Sequence, residues 1–336
     1  MPRPEATHER EIVEPVDLCL TDGRLDRAAV GWTRRPLHRS NLCGRWGRNK
    51  RWEYWCVATP THLVAITVSN LDYLALYDVW FLEYGGLEVS RSAVVPLARG
   101  ARFPERACDG EVRVTTRRLS IALRHDAAGM HLSARAKDVE VDLLVQAPPG
   151  HESLGVVIPW SEHLFQYTVK DNTRPAEGVV RARGRTFRFE PGTAWACLDH
   201  GRGRWPYRTV WNWGSASGRM ADGRTLGLQL GGQWTVGTGM TENALCVDGK
   251  LHKLGHELAW EYDRRDFKRP WRIRDARVDV ELVPFHERHS RVELVVLGTE
   301  VHQCFGHYRG TVVTDDGERL AADGLLGWAE EARMRW

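Results

Sequence analysis

Polar and apolar residues alternate along much of the chain. Val112-Arg113-Val114-Thr115 and Leu119-Ser120-Ile121-Ala122-Leu123 flank a basic corner at Arg117-Arg118. Val139-Glu140-Val141-Asp142-Leu143 and Val278-Asp279-Val280-Glu281-Leu282 alternate without a break, and Arg181 to Phe189 and Val292 to Leu297 do so with slips. A period of two puts every second side chain on one face, so each segment predicts a half-buried antiparallel strand. Asp-Gly occurs at 22–23, 109–110, 222–223, 248–249, 316–317 and 323–324. This pair supplies the positive φ angles of a type I′ hairpin turn. Gly85-Gly86 and Gly231-Gly232 add further breaks. No capped amphipathic helix of three turns is visible. Short helical segments are expected only in the charged opening segment and around Asp72 to Leu82. Many short strands joined by such turns predict an all-β protein built from sandwiches or barrels.

Length changes this picture by suggesting two such bodies. The chain has 336 residues, and domains average roughly 150. The breaker cluster Ala147-Pro148-Pro149-Gly150 falls near the middle. The expected division is therefore 1–160 and 161–336. The absence of a short repeat argues against a propeller. Hydrophobic residues at 42% and charged residues at 27% exclude disordered and fibrous classes. A net charge of +3 gives no electrostatic basis for nucleic-acid binding. Cys19, Cys43, Cys56, Cys108, Cys197, Cys246 and Cys304 are scattered, with no C-x-x-C. This pattern fits reduced thiols in the cytoplasm. The opening residues lack the apolar stretch of a secretory signal. No apolar run reaches the ~20 residues of a spanning helix, so membrane contact would be peripheral at most.

The densest candidate chemistry lies between Lys170 and Trp213. Glu177, Trp195, Asp199, His200, Arg202, Tyr207, Trp211, Asn212 and Trp213 all fall there, with Gly201 and Gly203 bracketing the arginine. On a strand Trp211 and Trp213 share one face and Asn212 takes the other. Two readings stand. In the first, the aromatic residues wall an apolar pocket. Asp199, its pKa raised by burial, protonates an unactivated double bond, and Trp and Tyr faces stabilise the cation. His200 assists only if Gly201 and Gly203 bend the chain, because neighbours on a regular strand face apart. In the second, Arg202 pairs with Asp199 at a corner and the tryptophans fill a core. Glu242 follows a glycine-rich strand and is either a second acid or base or a rim carboxylate. His286, His289, His302 and His307 show no helical H-x-x-x-H spacing and no completing acid, so no metal is expected. Arg34, Arg35, Arg39, Arg45, Arg48, Lys50 and Arg51 interleave with Trp32, Trp46, Trp52 and Trp55. That segment reads as strands with charges outward and tryptophans inward.

The order Pro175-Ala176-Glu177-Gly178, Gly184-Arg185, Phe189, Pro191-Gly192, Trp195, Asp199-His200-Gly201-Arg202-Gly203 and Trp211-Asn212-Trp213 resembles an uncharacterised bacterial family of unknown function. That family is distantly similar to the lipocalin-like enzymes carotenoid 1,2-hydratase (hydroxyneurosporene synthase) and tocopherol cyclase. Gly306-His307-Tyr308-Arg309-Gly310 and Gly327-Trp328-Ala329-Glu330-Glu331-Ala332-Arg333 are similar to the closing strands of those proteins. The chain departs from the enzymes at Gly201-Arg202-Gly203, where they carry an Asn-Trp-Gly-like run. The resemblance implies two lipocalin-like antiparallel β-barrels packed together. It also implies a site in or between them near Asp199-His200, and chemistry on an isoprenoid double bond without cofactor.

Two functions follow. One is a cofactor-independent hydratase or cyclase with Asp199, His200 and Glu242 as catalytic candidates and Glu177, Trp195, Arg202, Tyr207, Trp211, Asn212 and Trp213 around a hydrophobic substrate. The other is a non-catalytic carrier of a lipid or similar ligand. A titratable group with a perturbed pKa facing an aromatic interior favours the enzyme, and a bare cavity favours the carrier.

Overall fold

The computed structural model describes residues 7–293 and 297–336. It divides into a larger unit, Ile12–Trp205, and a smaller unit formed by Pro206–Trp336 together with residues 7–11. The expected break near residue 160 falls inside the larger unit. Pro148 and Pro149 mark a loop there, and the strand that follows it returns to the same sheet.

The larger unit contains β1 (Val16–Asp17), β2 (Trp32–Thr33), β3 (His38–Arg39), β4 (Asn49–Ala58), β5 (His62–Asn70), β6 (Leu74–Glu83), β7 (Glu88–Pro96), β8 (Glu111–Thr115), β9 (Leu119–Asp126), β10 (Gly129–Ala136), β11 (Val139–Gln146), β12 (Leu154–Pro159), β13 (Phe165–Ala182), β14 (Arg185–Phe189) and β15 (Trp195–Arg204). One turn of 3-10 helix covers Arg27–Ala29. The main sheet runs β7-β6-β5-β4-β15-β13-β11-β10-β9-β8, with β12 and β14 attached to β13 and β2 attached to β12. Its neighbours are antiparallel; β1 and β3 form a separate parallel pair.

Strand β13 holds two parts of this sheet together. Its first half pairs with β12 and β15, and its second with β11 and β14. The register shifts between Asp171 and Arg174, and a bulge of this kind bends and twists the strand. The sheet therefore curls around one core that takes residues from β4, β5, β6, β9, β10, β11, β13 and β15. Strand β11 shows the cause at residue level: Val139, Val141, Leu143 and Val145 are buried, and the residues between them are more exposed.

The smaller unit contains β16 (Arg208–Arg219), β17 (Thr225–Gly232), β18 (Asn243–Val247), β19 (Lys250–Leu254), β20 (Ala259–Glu261), β21 (Trp271–Arg274), β22 (Val278–Glu293), β23 (Gly298–Val313), β24 (Arg319–Ala321) and β25 (Leu326–Arg335). The order is β19-β18-β17-β16-β25-β23-β22-β21-β20, with β24 on β23. This antiparallel sheet has its own core, including Leu228, Trp271, Leu282 and Tyr308. The molecule is thus all-β, with two curled antiparallel half-barrel sheets.

Several local expectations change. Leu74–Glu83 is strand β6, not helix, because it is buried on both faces and its apolar run carries no alternation. Arg181 to Phe189 is a hairpin: β13 ends at Ala182, Arg183 (φ 45°) and Gly184 (φ 78°) turn, and β14 returns. Of the six Asp-Gly pairs, only Asp248-Gly249 has both φ angles positive, 47° and 76°, as type I′ requires. Val292 and Glu293 end β22, and Leu294, Val295 and Val296 lie outside the described residues. Residues 7–14 of the opening segment contain no helix, since Glu9 is pinned to the smaller unit by Thr241 and Lys253. Trp32 and Trp55 point inward as expected, but Trp46 is exposed. No described helix is long and apolar enough to cross a membrane.

Candidate functional site

Strand β15 lies between β4 and β13, with an unbroken register to β4 from Trp195 opposite Ala58 to Arg204 opposite Asn49. Alternation then fixes the faces. Ala196, Leu198, His200 and Arg202 share the face of Trp55 and Val57, which belong to the core. Asp199, Gly201 and Gly203 take the opposite face. The two glycines do not bend the strand to bring Asp199 and His200 together. They permit close packing instead: a Cβ on Gly201 would meet the Trp52 ring at 2.2 Å, and one on Gly203 would meet the Phe165 carbonyl oxygen at 2.2 Å.

The interior face carries a polar cluster in apolar surroundings. Glu53 stands directly opposite His200, and Tyr167 directly opposite Arg202. His200 is 0% exposed, Arg202 1% and Glu53 3%. Arg202 Nη2 donates to Glu53 Oε1 at 3.0 Å, and His200 Nδ1 lies 3.4 Å from the same oxygen. Arg202 Nη1 donates to the carbonyls of Trp52 (2.8 Å) and Gly201 (2.9 Å). Its guanidinium stacks over Phe103 at 4.6 Å. Tyr167 meets the His200 ring edge-on at 5.9 Å. Neither ring nitrogen of His200 makes a well-formed hydrogen bond among the described residues: Nδ1 faces Glu53 at 3.4 Å and Nε2 has no hydrogen-bonding partner.

Burial sets the charge states. Burial first, then the Arg202 charge, lower the His200 pKa to about 4 against the pull of Glu53. Burial pushes Glu53 up, but His200 and Arg202 more than offset this and leave it lowered. Burial lowers Arg202 to about 10, with Glu53 opposing, and raises the Tyr167 phenol. At neutral pH the cluster is a carboxylate, a guanidinium, a phenol and a neutral imidazole. A second buried set adjoins it in sequence at the β13 bulge. Asp171 pairs with Arg174 at 2.8 Å and with His151 at 3.0 Å. The Cys108 thiol, raised by burial and then by the charges of Asp171 and Glu53, feels both sets.

The other predicted residues lie elsewhere. Asp199 pairs with Lys170 at 3.0 Å and accepts from Trp52 Nε1 (3.1 Å) and Thr168 Oγ1 (3.3 Å). The expected Asp199–Arg202 pair does not form, because the two face apart. Glu177 accepts from Gln146 at 3.0 Å. Trp195 opens β15 opposite Ala58.

Glu242, Tyr207, Trp211, Asn212 and Trp213 belong to the smaller unit. Trp211 and Trp213 do share one face of β16, donating to Glu330 (2.9 Å) and Gln229 (3.0 Å). Asn212 takes the other face, between Tyr262 (3.2 Å) and Gln233 (2.6 Å). Glu242 is buried, accepts from Trp234 Nε1 at 2.7 Å, and fills the space above Gly231. Tyr207 is exposed.

Sequence reasoning missed Glu53 and Tyr167. Their signal was parity: Glu53 alternates with Trp55 and Val57, and Tyr167 with Phe165 and Val169, so each interrupts an apolar face.

The family model described as domain of unknown function (DUF2804) matches residues 9–336. No curated protein shows significant sequence similarity to the chain. Among solved structures, the chain is similar to a protein provisionally named AttH from Nitrosomonas europaea, at 11% identity. The match covers 85% of this chain and 92% of that one, with a TM-score of 0.49. It is also similar to kievitone hydratase from Nectria haematococca, at 9% identity, covering 90% and 97%, with a TM-score of 0.49.

Proposed function

We propose that this chain, which belongs to the DUF2804 family, is a cofactor-independent hydratase or cyclase acting on an isoprenoid-like double bond, with His200 as its proton carrier. The observation that carries the reading is His200 itself. It is a fully buried imidazole with a strongly lowered pKa, facing the apolar interior of the larger unit, its Nε2 without a partner. A titratable group of this kind facing an apolar interior favours an enzyme over a carrier.

Alkene protonation requires a strong acid in a dry site. The imidazolium form of His200, at a pKa of about 4, is a stronger acid than an ordinary imidazolium. Glu53 faces Nδ1 at 3.4 Å, Arg202 keeps Glu53 ionised, and Nε2 delivers the proton. The alkene π pair forms the new C–H bond and leaves a cation on the neighbouring carbon. Tyr167 and Trp55 offer aromatic faces to that cation. Water then forms the C–O bond and returns a proton to Nε2. In a cyclisation an internal hydroxyl takes the place of water and gives up its own proton to Nε2; where an internal double bond attacks instead, a C–C bond forms and the new cation loses a proton from the adjacent carbon to Nε2. Asp199 loses the acid's role in this reading, because a carboxylate held by Lys170 serves as an acceptor.

The test is incubation of the purified protein with farnesol, geranylgeraniol and lycopene in deuterated and in ¹⁸O-labelled water, followed by mass spectrometry. Deuterium at carbon reports protonation, and ¹⁸O reports water addition. An isoprenoid retained in native mass spectrometry with neither label supports the second reading, a lipid carrier. Neither retention nor label refutes both.

A further inference from the structure

A second group of chemistry-bearing side chains lies on the long β22–β23 hairpin of the smaller unit. In the ladder His289 is directly opposite His302, and Arg291 is opposite Glu300. Glu300 and His302 are two residues apart and share a face of β23. His289 shares that face from across the ladder. Helical spacing is the wrong template for such ligands: cross-strand register brings together residues that sequence spacing keeps apart, and it supplies the carboxylate that the sequence pattern lacked.

The distances suit a metal ion. His289 Nε2 and His302 Nε2 lie 3.6 and 3.7 Å from the same oxygen, Glu300 Oε1. One ligand atom from each of the three residues lies within 4.8 Å of the others. Ligand atoms around tetrahedral zinc, with bonds of ~2.0–2.1 Å, stand roughly 3.3–3.5 Å apart. The imidazoles stack at 4.2 Å, inclined by 10°; their in-plane lone pairs then run side by side, and the exposed His289 ring has to turn for both to converge on one ion.

His302 is also held in place from outside the cluster. Its Nδ1 is 2.7 Å from Glu287 Oε1, and its other face stacks on Phe267 at 3.8 Å. A carboxylate on Nδ1 fixes the ring proton there and leaves the Nε2 lone pair for a metal. Arg291 Nη1, 3.7 Å from Glu300, is the competing cation, but its side chain is 60% exposed and can swing away. From β25, Arg333 stands opposite Glu300 and Glu331 opposite His302, with Arg333 Nε held by Glu331 at 2.8 Å; on these strands three carboxylates therefore face two guanidiniums, and added positive charge is favourable.

We infer that His289, Glu300 and His302 bind one zinc ion, or a divalent cation of the same borderline class, with Glu287 as the positioning residue and the fourth coordination site open to water. Two imidazoles and one carboxylate are a zinc donor set. Bound metal ties β22 to β23 across the ladder. The site is independent of the proton chemistry assigned to His200.

The experiment uses the full chain, stripped with chelator and dialysed, and titrated with zinc against a chromophoric chelator at pH 7.5. Wild type should bind one equivalent and show a rise in melting temperature. His289→Ala, Glu300→Gln and His302→Ala should each weaken binding at least tenfold and abolish that rise. Glu287→Gln should weaken it about 10–100-fold. His289→Ala and Glu300→Gln should melt like wild type when metal-free; His302→Ala and Glu287→Gln remove the stack on Phe267 or the hydrogen bond that holds it, so their response to metal is read against their own metal-free melting temperature. With cobalt, the complex should lack thiolate charge-transfer absorption, because no cysteine is a ligand. No bound equivalent in wild type overturns the inference. So does equal affinity in the His289→Ala/Glu300→Gln double variant, because the metal is then held by other groups.

Discussion

His200 is neutral in the folded protein because water cannot reach it. Its pKa is about 4 there, against about 6.5 in the unfolded chain. Between those values the unfolded chain binds a proton that the folded one excludes, so stability falls as the pH drops from about 6.5 to 4. Glu53 adds to this: its lowered pKa gives a contribution present above its unfolded value and lost as pH falls through the folded one. His200→Gln should therefore flatten the stability profile. Between pH 7 and 4.5, wild type should lose about 2 kcal/mol more than the variant, at roughly 1.4 kcal/mol per pKa unit. Urea unfolding at the two pH values measures this, and parallel profiles would show that His200 is not the buried titrating group. Glu53→Ala leaves a buried guanidinium unpaired and should cost about 3–5 kcal/mol, read from the same unfolding curves. At this scale the sequence disclosed His200 and Arg202 through their glycine-rich setting. It hid Glu53, whose partners sit about 150 positions away and are fixed by register alone.

Elements were legible wherever one face is wet. β8, β9, β11 and the first half of β22 alternate in sequence and in burial alike. β6 was not, because a strand buried on both faces loses the polar half of the pattern. The bulge in β13 and the one between Pro284 and His286 in β22 were also invisible, since an extra residue shifts parity without changing composition. Register also explains the glycines of β15. Gly203→Ala should cost more than about 2 kcal/mol, because the clashing atom is backbone. Gly86→Ala meets only the end of the Glu83 side chain and should cost less than about 1 kcal/mol. Denaturant midpoints of the two variants decide this; similar losses would mean that β15 yields where its register implies it cannot.

At the scale of the whole molecule, two sheets were foreseen but their boundary was not. Prolines 148 and 149 marked a loop as strongly as a linker would, and only the pairing of β12 with β13 distinguishes the two cases. The placement of residues 7–11 with the C-terminal unit was equally hidden. Its anchor is Glu9, buried against Lys253, whose pKa burial lowers to about 8 despite that partner. Glu9→Gln removes the carboxylate paired with the ammonium, leaving only the more distant pull of Glu242 and Glu257, and should destabilise the smaller unit by about 3 kcal/mol. Hydrogen exchange should show faster opening of β18 and β19 with β9 to β11 unchanged. Uniform protection throughout would mean that the N-terminal segment is not a structural part of that unit.

The central claim is that His200 carries the proton to carbon. It is tested most directly by deuterium incorporation into an isoprenoid substrate, comparing wild type with His200→Gln and Asp199→Asn. The account predicts that His200→Gln retains ligand in native mass spectrometry but loses about 10²-fold or more of the incorporation rate, the usual scale of general acid–base catalysis. Asp199→Asn should keep most of it. In wild type the rate should rise as pH falls from 7 toward 4, because the imidazolium is the active form. Undiminished incorporation in His200→Gln, or a loss confined to Asp199→Asn, would contradict the account.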